Sequence, residues 1–426
     1  MTAKEAIEYI HSVSWKGSRP GLERTRELLD RMGDPQKKLQ FIHIAGTNGK
    51  GSTAAMLASV LQKAGKKVGL YTSPYIFKFH ERMQVNGEPI SDEMLSSCTE
   101  FVKPLAEGMD DHPTEFELVT AIAMEYFARE KADIVVLEAG MGGELDSTNV
   151  IDAPIAAVIT NIGLDHTEYL GDTLEAIART KAGIVKKGCA CVLYPCKKSV
   201  ERVVQHRCDE ENAVLLIPDG EKIVPVSRNL EGQTFHYGTL KDLKIGLLGQ
   251  HQLMNAAMVL TVVSVLKGKG WNISTQAVRE GLAETRWPGR FEVLSQDPLF
   301  IVDGGHNPQC MDALTKNIED HLAGMPLTVL TGVMADKERS SMYPPLLPYA
   351  KQFVTVTPDN PRAMAAEDLA AYLKELGAEA EDCGTVAQGV AAAIGHAKAE
   401  GGAVLACGSL YMVGEVVSAV KEQLGE

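Results

Sequence analysis

Residues Gly46-Thr-Asn-Gly-Lys-Gly-Ser52 stand directly after the apolar run Phe41-Ile-His-Ile-Ala45 and directly before Thr53-Ala-Ala-Met-Leu-Ala-Ser-Val-Leu-Gln-Lys63. The order reads as a strand, a glycine turn and a helix start, with a lysine in the turn. Glycines 46, 49 and 51 let the backbone curl so that successive N–H groups face an anion, and the helix N-terminus adds partial positive charge. Gly46, Thr47, Asn48, Gly49, Lys50, Gly51 and Ser52 are therefore candidates for holding nucleotide phosphates. Lys50 would reach the terminal phosphates and Ser52 a magnesium ion. The usual phosphate loop has four residues between its first glycine and the Gly-Lys pair. Here only Thr47 and Asn48 intervene, and Gly51 separates Lys50 from Ser52, so the loop is a variant.

Three further places carry chemistry-bearing residues. Glu138 ends the apolar run Asp133-Ile-Val-Val-Leu137 and opens Ala-Gly-Met-Gly-Gly-Glu-Leu-Asp146. An acid at a buried strand end beside a phosphate loop can hold magnesium directly or through water; a solvated strand-end glutamate is the plainer alternative. A dinucleotide turn is disfavoured, because its spacing needs glycine where the chain has Leu145. Asp165-His166 follows Ala157-Val-Ile-Thr-Asn-Ile-Gly-Leu164 and offers a metal ligand or a proton-transfer group, or an ordinary solvated pair. Asp303, His306 and Asn307 share one turn after Phe300-Ile-Val302. Lys181 lies in a helical segment near the Asp-His turn, where by itself it reads as a surface lysine.

Such residues need strands to hold them at one edge. Apolar runs at Phe41–Ala45, Val68–Tyr71, Ile134–Leu137, Ile155–Thr160 and Ala190–Tyr194 alternate with helical patterns, which predicts an open, mostly parallel α/β sheet with ligands at the carboxyl ends of its strands. Shorter strand-like pieces between Glu221 and Leu248 suggest a small mixed or antiparallel extension of that sheet. Helices are expected over Gln252–Leu266 and up to Ala283, followed by a linker in Thr285-Arg-Trp-Pro-Gly-Arg-Phe291. A second α/β series follows at Leu299–Val302, Leu327–Leu330, Gln352–Val356 and Ala403–Cys407, and Ala363 to Gly402 reads as solvated helix. The expected fold class is α/β, with a phosphate-loop N-terminal domain over residues 1–287 and a smaller Rossmann-like C-terminal domain over 288–426. Residues of the second domain would then face the phosphate loop across a cleft.

The chain has 426 residues, 45% hydrophobic and 23% charged, the balance of an ordinary globular protein of about two domains. A net charge of −14 disfavours nonspecific nucleic-acid binding, while leaving room for a local basic pocket. No apolar stretch approaches the ~20 residues of a bilayer span, and the first residues, including Lys4 and Glu5, lack signal-peptide character. A cytoplasmic protein without membrane or nucleic-acid partners is expected. The eight cysteines are too few for a disulfide scaffold, and the spacing of Cys189, Cys191, Cys196 and Cys208 favours buried small hydrophobes over a zinc site.

Taken together, the motifs resemble those of the folylpolyglutamate synthase and dihydrofolate synthase family of Mur-type amide ligases. The resemblance runs along essentially the whole chain: Pro20-Gly-Leu-Glu-Arg24, the Gly46–Ser52 loop, Tyr71-Thr-Ser-Pro74, Phe79-His-Glu-Arg-Met83, Glu138-Ala-Gly-Met-Gly-Gly-Glu-Leu-Asp-Ser-Thr-Asn149, Gly163-Leu-Asp-His166 and Lys181-Ala-Gly-Ile184. It continues through His251-Gln-Leu-Met-Asn-Ala256, Trp287-Pro-Gly-Arg-Phe-Glu292, Asp303-Gly-Gly-His-Asn-Pro308 and Gly408-Ser-Leu-Tyr-Met-Val-Gly414.

The resemblance implies ATP on residues 46–52, and two magnesium sites served by Ser52, Ser73, Glu138, His166 and a carbamylated Lys181. Lys50, His166 and Lys181 would be the catalytic group. Asn255, Arg290, Asp303 and His306 match residues that reach the nucleotide, and Arg82 and Phe116 match positions near the pterin-bearing substrate. Two departures stand out. Tyr75 replaces a frequent histidine and would alter the loop bordering the folate pocket, whereas Gly305 replaces a frequent alanine and would add flexibility.

The implied reaction is ATP-driven addition of L-glutamate to a reduced folate through an acyl phosphate, with release of ADP and phosphate, by a monomer. Dihydropteroate as a second acceptor stays open. A small-molecule kinase would share the loop but leave the second domain unexplained. A cell-wall Mur ligase fits the pterin-side motifs less well, and a non-catalytic nucleotide-binding module would leave Glu138, His166 and Lys181 incidental.

Overall fold

The strand that precedes the glycine turn lies at the heart of the N-terminal sheet. In the computed structural model, which describes residues 1–14, 17 and 19–425, β1 (Phe41–Ala45) is buried along its whole length. Phe41, Ile42 and Ile44 are almost fully enclosed, each stabilising the fold by about 1.5–3 kcal/mol through loss of apolar surface to water. Continuous apolar runs of this kind suit parallel strands covered on both faces.

Around β1 stand β2 (Val68–Tyr71), β3 (Met83–Val85), β4 (Glu88–Pro89), β5 (Ile134–Glu138), β6 (Ala156–Ile159), β7 (Ala190–Leu193) and β8 (Val214–Leu216). Their order is β4-β3-β2-β5-β1-β6-β7-β8. Strands β2, β5, β1, β6, β7 and β8 run parallel, and β3 and β4 add an antiparallel edge. The chain leaves β1 toward β2 on one side and later places β6 on the other. The turn after β1 therefore opens where a parallel sheet leaves a crevice for ligands. Ile44 pairs with Glu138 and Ala45 with Ile159, so the ends of β5 and β6 flank that turn.

Strands β9 (Ile223–Asn229), β10 (Gly232–Tyr237) and β11 (Leu240–Ile245) make a separate three-stranded sheet in the order β11-β10-β9. This corrects the expected extension of the first sheet. Pro225 lacks an N–H to give to a ladder, which suits β9 to an edge, and nearly all of β9 is exposed, leaving it no apolar face to dock.

The C-terminal sheet contains β12 (Glu292–Gln296), β13 (Leu299–Val302), β14 (Leu327–Thr331), β15 (Ala350–Thr357), β16 (Ala380–Thr385) and β17 (Ala403–Cys407). They lie in the order β12-β13-β17-β14-β15-β16, all parallel except β12. Strand β16 corrects the reading of Ala363–Gly402 as helix throughout. Its Ala-Glu-Asp-Cys-Gly-Thr is a polar edge strand, paired only with β15 and set between helices Ala366–Glu375 and Val386–Glu400.

The chain separates into two compact units. One comprises Met1–Val224, Phe235–Lys244 and Met254–Thr285; the other comprises Pro225–Thr234, Ile245–Leu253 and Arg286–Glu426. In the first, separate apolar clusters contain Tyr71, Phe127 and Leu137 on one hand and Ile159, Ile177 and Val204 on the other. Phe291, Ile301, Val329 and Phe353 belong to the cluster of the second. No described helix is long and apolar enough to cross a membrane.

Candidate active site

At Gly46 and Gly49 the turn after β1 is shaped by contacts that leave no room for a side chain. A Cβ on Gly46 would stand 1.8 Å from Thr160 Oγ1, at the end of β6. Gly49 caps the helix Lys50–Lys63 with φ +84, a left-handed conformation that glycine adopts without strain. A Cβ there would lie 2.9 Å from Asn255 Oδ1, so the structure brings the buried Asn255 over the turn.

Thr47 stitches this turn to the segment that leads to His166. Its N–H donates to Asn161 O at 2.7 Å, its hydroxyl donates to Gly163 O at 3.0 Å, and the same hydroxyl accepts from Gly163 N–H at 3.1 Å. His166 sits two residues beyond Leu164, exposed, with φ +50 at the cap of the short helix Thr167–Leu170. Its N–H donates to Asp165 Oδ1.

Two lysines meet at one carbonyl of the turn. Lys50 Nζ donates to Gly46 O at 3.1 Å and Thr47 O at 3.2 Å, while Lys181 Nζ donates to the same Gly46 O at 2.9 Å. Lys181 is 3% exposed, so the surface position expected from its segment alone is wrong. Burial first, and then the charge of Lys50, push its ammonium down to a pKa of about 7.

Glu138 is buried at the end of β5. The glycine run after it packs on the helix Leu174–Ala182: Glu144 N–H donates to Thr180 O at 2.8 Å, and a Cβ on Gly143 would reach 2.8 Å from Lys181 O. The segments carrying Glu138 and Lys181 are thereby joined through the backbone. Ser52 is buried in the first turn of Lys50–Lys63. Ser73 follows β2, and its hydroxyl accepts from the Arg82 guanidinium at 3.0 Å.

Arg82 lies over the Tyr75 ring at 5.1 Å and the Phe79 ring at 5.7 Å. Tyr75 thus supplies a cation–π face where the resemblance leads one to expect histidine. Phe116 fills the space above Gly140, whose Cβ would fall 2.5 Å from the ring, and leans on Tyr71 with centroids 6.1 Å apart.

Beneath the sheet edge lies a buried chain that the motifs do not announce. Met141 N–H donates to Asp146 Oδ2, and Thr148 Oγ1 donates to Asp146 Oδ1 at 2.5 Å. With its proton so committed, the hydroxyl accepts from His43 Nε2 at 2.8 Å. His43 Nδ1 has no partner, and burial drives the ring's pKa down to about 3. Burial likewise raises the Asp146 carboxyl, against the pull of its hydrogen bonds.

In the second unit, the turn after β13 gathers Asp303, His306 and Arg290. Asp303 Oδ1 accepts from Gly305 N–H at 2.7 Å and Oδ2 from Phe291 N–H at 2.9 Å. His306 Nδ1 lies 2.9 Å from Gly304 O, and Arg290 donates to Gly289 O. Burial raises the Asp303 carboxyl, opposed first by Arg290. Gly305 has a structural use beyond flexibility, since a Cβ there would stand 2.7 Å from Asp303 Oδ1.

Among the described residues no three His, Cys, Asp or Glu side chains cluster as a metal site. The donors proposed for magnesium are instead mixed. Hydroxyl and carboxylate oxygens from Ser52, Ser73 and Glu138 suit a hard cation. Lys181 as an amine does not, and it fits only once carbon dioxide has converted it to a carbamate.

Comparison with known proteins places these features in a wider set. Residues 44–263 match the Mur ligase middle domain, and residues 289–410 match the Mur ligase glutamate ligase domain. The chain is 38% identical over 377 residues to the dihydrofolate synthase/folylpolyglutamate synthase of Bacillus subtilis, covering 86% of this chain and 87% of that one. It is 37% identical to the folylpolyglutamate synthase of Lacticaseibacillus casei, covering 85% and 87%. Among solved structures, Mycobacterium tuberculosis folylpolyglutamate synthase complexed with ADP and AMPPCP superposes with a TM-score of 0.89 at 28% identity, covering 100% and 99%. E. coli FolC in complex with DHPP and ADP gives 0.88 at 31% identity, again covering 100% and 99%.

Proposed function

The chain belongs to the folylpolyglutamate synthase and dihydrofolate synthase family of Mur-type ligases, and from that membership we propose that it joins L-glutamate to a folate at the expense of ATP. The observation that carries this reading is the convergence of Lys50 and Lys181 on Gly46 O, which sets a cationic lysine and a buried lysine with a lowered pKa beside one glycine turn.

The substrate carboxylate attacks the γ-phosphorus of ATP, the bond to the β–γ bridging oxygen breaks, and ADP leaves. The amine of glutamate then attacks the acyl carbon, loses a proton, and expels inorganic phosphate. The N–H groups of residues 46–52 and the helix terminus bind phosphate oxygens. Lys50, on leaving its contacts with Gly46 O and Thr47 O, follows the charge that develops on the transferring group. Ser52, Ser73 and Glu138 would hold magnesium through oxygen, with His166 as a nitrogen ligand, and the ion would supply neutralisation of phosphoryl charge.

Lys181 has the chemistry for carbamylation. A pKa of about 7 leaves a large share of it as the free amine near neutrality. That amine can add to carbon dioxide and release a proton, turning a buried cation into an anionic oxygen donor. Asn255 would meet the nucleotide over Gly49, and Arg290, Asp303 and His306 are assigned to it from the second unit. Arg82 and Phe116 would border the pterin. The division into domains at residues 287 and 288, a monomeric state and a cytoplasmic location complete the proposal.

Incubating the purified protein with ATP, magnesium and glutamate, and offering tetrahydrofolate and dihydropteroate separately, tests the reading. A mass increase of one glutamate residue on tetrahydrofolate, with ADP formed, supports it. AMP as product, or ATP turnover independent of folate, contradicts it. A product from dihydropteroate would extend the activity to dihydrofolate synthesis.

A further inference from the structure

A cavity lined by three arginines opens beside the helix that carries Lys181. It measures about 530 Å³ and lies between the helices Leu174–Ala182 and Lys198–Glu210, lined by Glu144, Arg179, Arg202, His206, Arg207 and Glu210 among others. Some of these charges are already matched. Arg207 pairs with Glu211 at 2.8 Å and Glu210 at 3.6 Å, and His206 lies 3.5 Å from Glu210.

Three charges are not matched. Arg179 has no hydrogen bond or ion pair to any described residue, and Arg202 commits only its Nε–H, to Lys198 O. The Glu144 carboxylate has no cationic partner, its residue being held through its backbone. Arg207 Nε is enclosed without a partner as well. The cavity thus offers two guanidinium forks and one carboxylate. Its volume is in the range of small-ligand sites.

We propose that this cavity binds an acidic α-amino acid, its two carboxylates on Arg179 and Arg202 and its ammonium on Glu144. Guanidinium forks match carboxylates in a bidentate manner, and the single carboxylate sets the requirement for a cation on the same ligand. The site is separate from the phosphate turn. Arg179 and Lys181 are two apart on one helix, so they do not share a face, and Lys181 is the one turned to Gly46 O. The inference rests on the cavity alone and stands whether or not the chain ligates glutamate.

Calorimetry on the full-length protein at fixed ionic strength, without ATP or folate, tests it with L-glutamate, glutarate and inorganic phosphate as probes. L-glutamate is expected to bind, with affinity falling about tenfold or more in Arg179→Ala and in Arg202→Ala. Glutarate, which lacks the ammonium, should bind more weakly than glutamate, and Glu144→Gln should remove that difference. Turnover at saturating glutamate should persist in both arginine variants. Absence of glutamate binding, or binding unchanged in both arginine variants, would overturn the site; phosphate binding as tightly as glutamate would overturn the amino-acid assignment. Arg179 and Arg202 are both exposed, so either variant reports on binding in a folded protein.

Discussion

Lys50 and Lys181, 131 positions apart in the chain, donate to the same carbonyl oxygen, that of Gly46, at 3.1 and 2.9 Å. Burial first, and then the Lys50 ammonium beside it, disfavour the charged form of Lys181. Lys181 falls to a pKa of about 7 beside the turn proposed to hold phosphate. The candidate nucleotide site and the candidate carbamylation site are therefore electrostatically coupled.

Replacing Lys50 by alanine should lower kcat by about 10²-fold or more, the usual cost of losing a donor aimed at developing charge. Its hydrogen bonds go only to its own loop, so the unfolding midpoint should stay close to that of the unmodified protein. Steady-state turnover and thermal melting check both halves; near-normal turnover would refute the role.

Lys181→Ala should be similarly inactive, and short carboxylates such as formate or acetate should restore part of the activity by supplying the missing anionic oxygens. Removing bicarbonate and carbon dioxide from the buffer should slow the unmodified enzyme. Activity assays with and without each addition decide the point. Rescue by a short amine in place of a carboxylate would mean that the lysine acts as a cation.

His43 makes the protein acid-sensitive in a defined window. Its folded pKa of about 3 lies below the ordinary 6.5, so between these values the unfolded chain binds a proton that the folded chain refuses. The contribution of the neutral ring is complete above pH 6.5 and is lost as pH falls toward 3, at up to about 1.4 kcal/mol per pH unit. Urea unfolding across pH 4–7 should give a shallower pH dependence in His43→Leu, which leaves the Thr148–Asp146 bond in place. Equal slopes would show that the histidine is not the cause.

Thr47→Val keeps the shape of the side chain but removes both hydroxyl bonds to Gly163. A loss of roughly 1–3 kcal/mol in stability is expected, with a fall in kcat as the Asp165-His166 segment loosens from the phosphate turn. Denaturant melts and kinetics on one preparation measure the two effects.

Much of this arrangement could be read before any coordinates. Strands Phe41–Ala45, Val68–Tyr71, Leu299–Val302 and Ala403–Cys407 have the ends that their apolar runs indicate, because fully buried parallel strands carry uninterrupted hydrophobic sequence. Polar strands escaped for the converse reason: Ala380–Thr385 has an edge to fill and no core to face. Lys181 was legible only in part. Ile177, Ala178, Lys181 and Ala182 are the buried residues of one helix, and a lysine in step with that apolar stripe was the available signal. Thr160, which closes over Gly46, and His43, inside an apolar strand, gave none, since their roles depend on cross-strand neighbours.

If the turn around Lys50 holds a triphosphate whose terminal group passes to a carboxylate, an oxygen of that carboxylate must leave with the phosphorus. A folate carrying ¹⁸O in the carboxylate that receives glutamate is incubated with the enzyme, ATP, magnesium and glutamate, and the inorganic phosphate is analysed by mass spectrometry. One ¹⁸O atom per phosphate is expected, because the attacking oxygen stays with phosphorus when the amine displaces it. Unlabelled phosphate accompanying amide product would contradict that transfer.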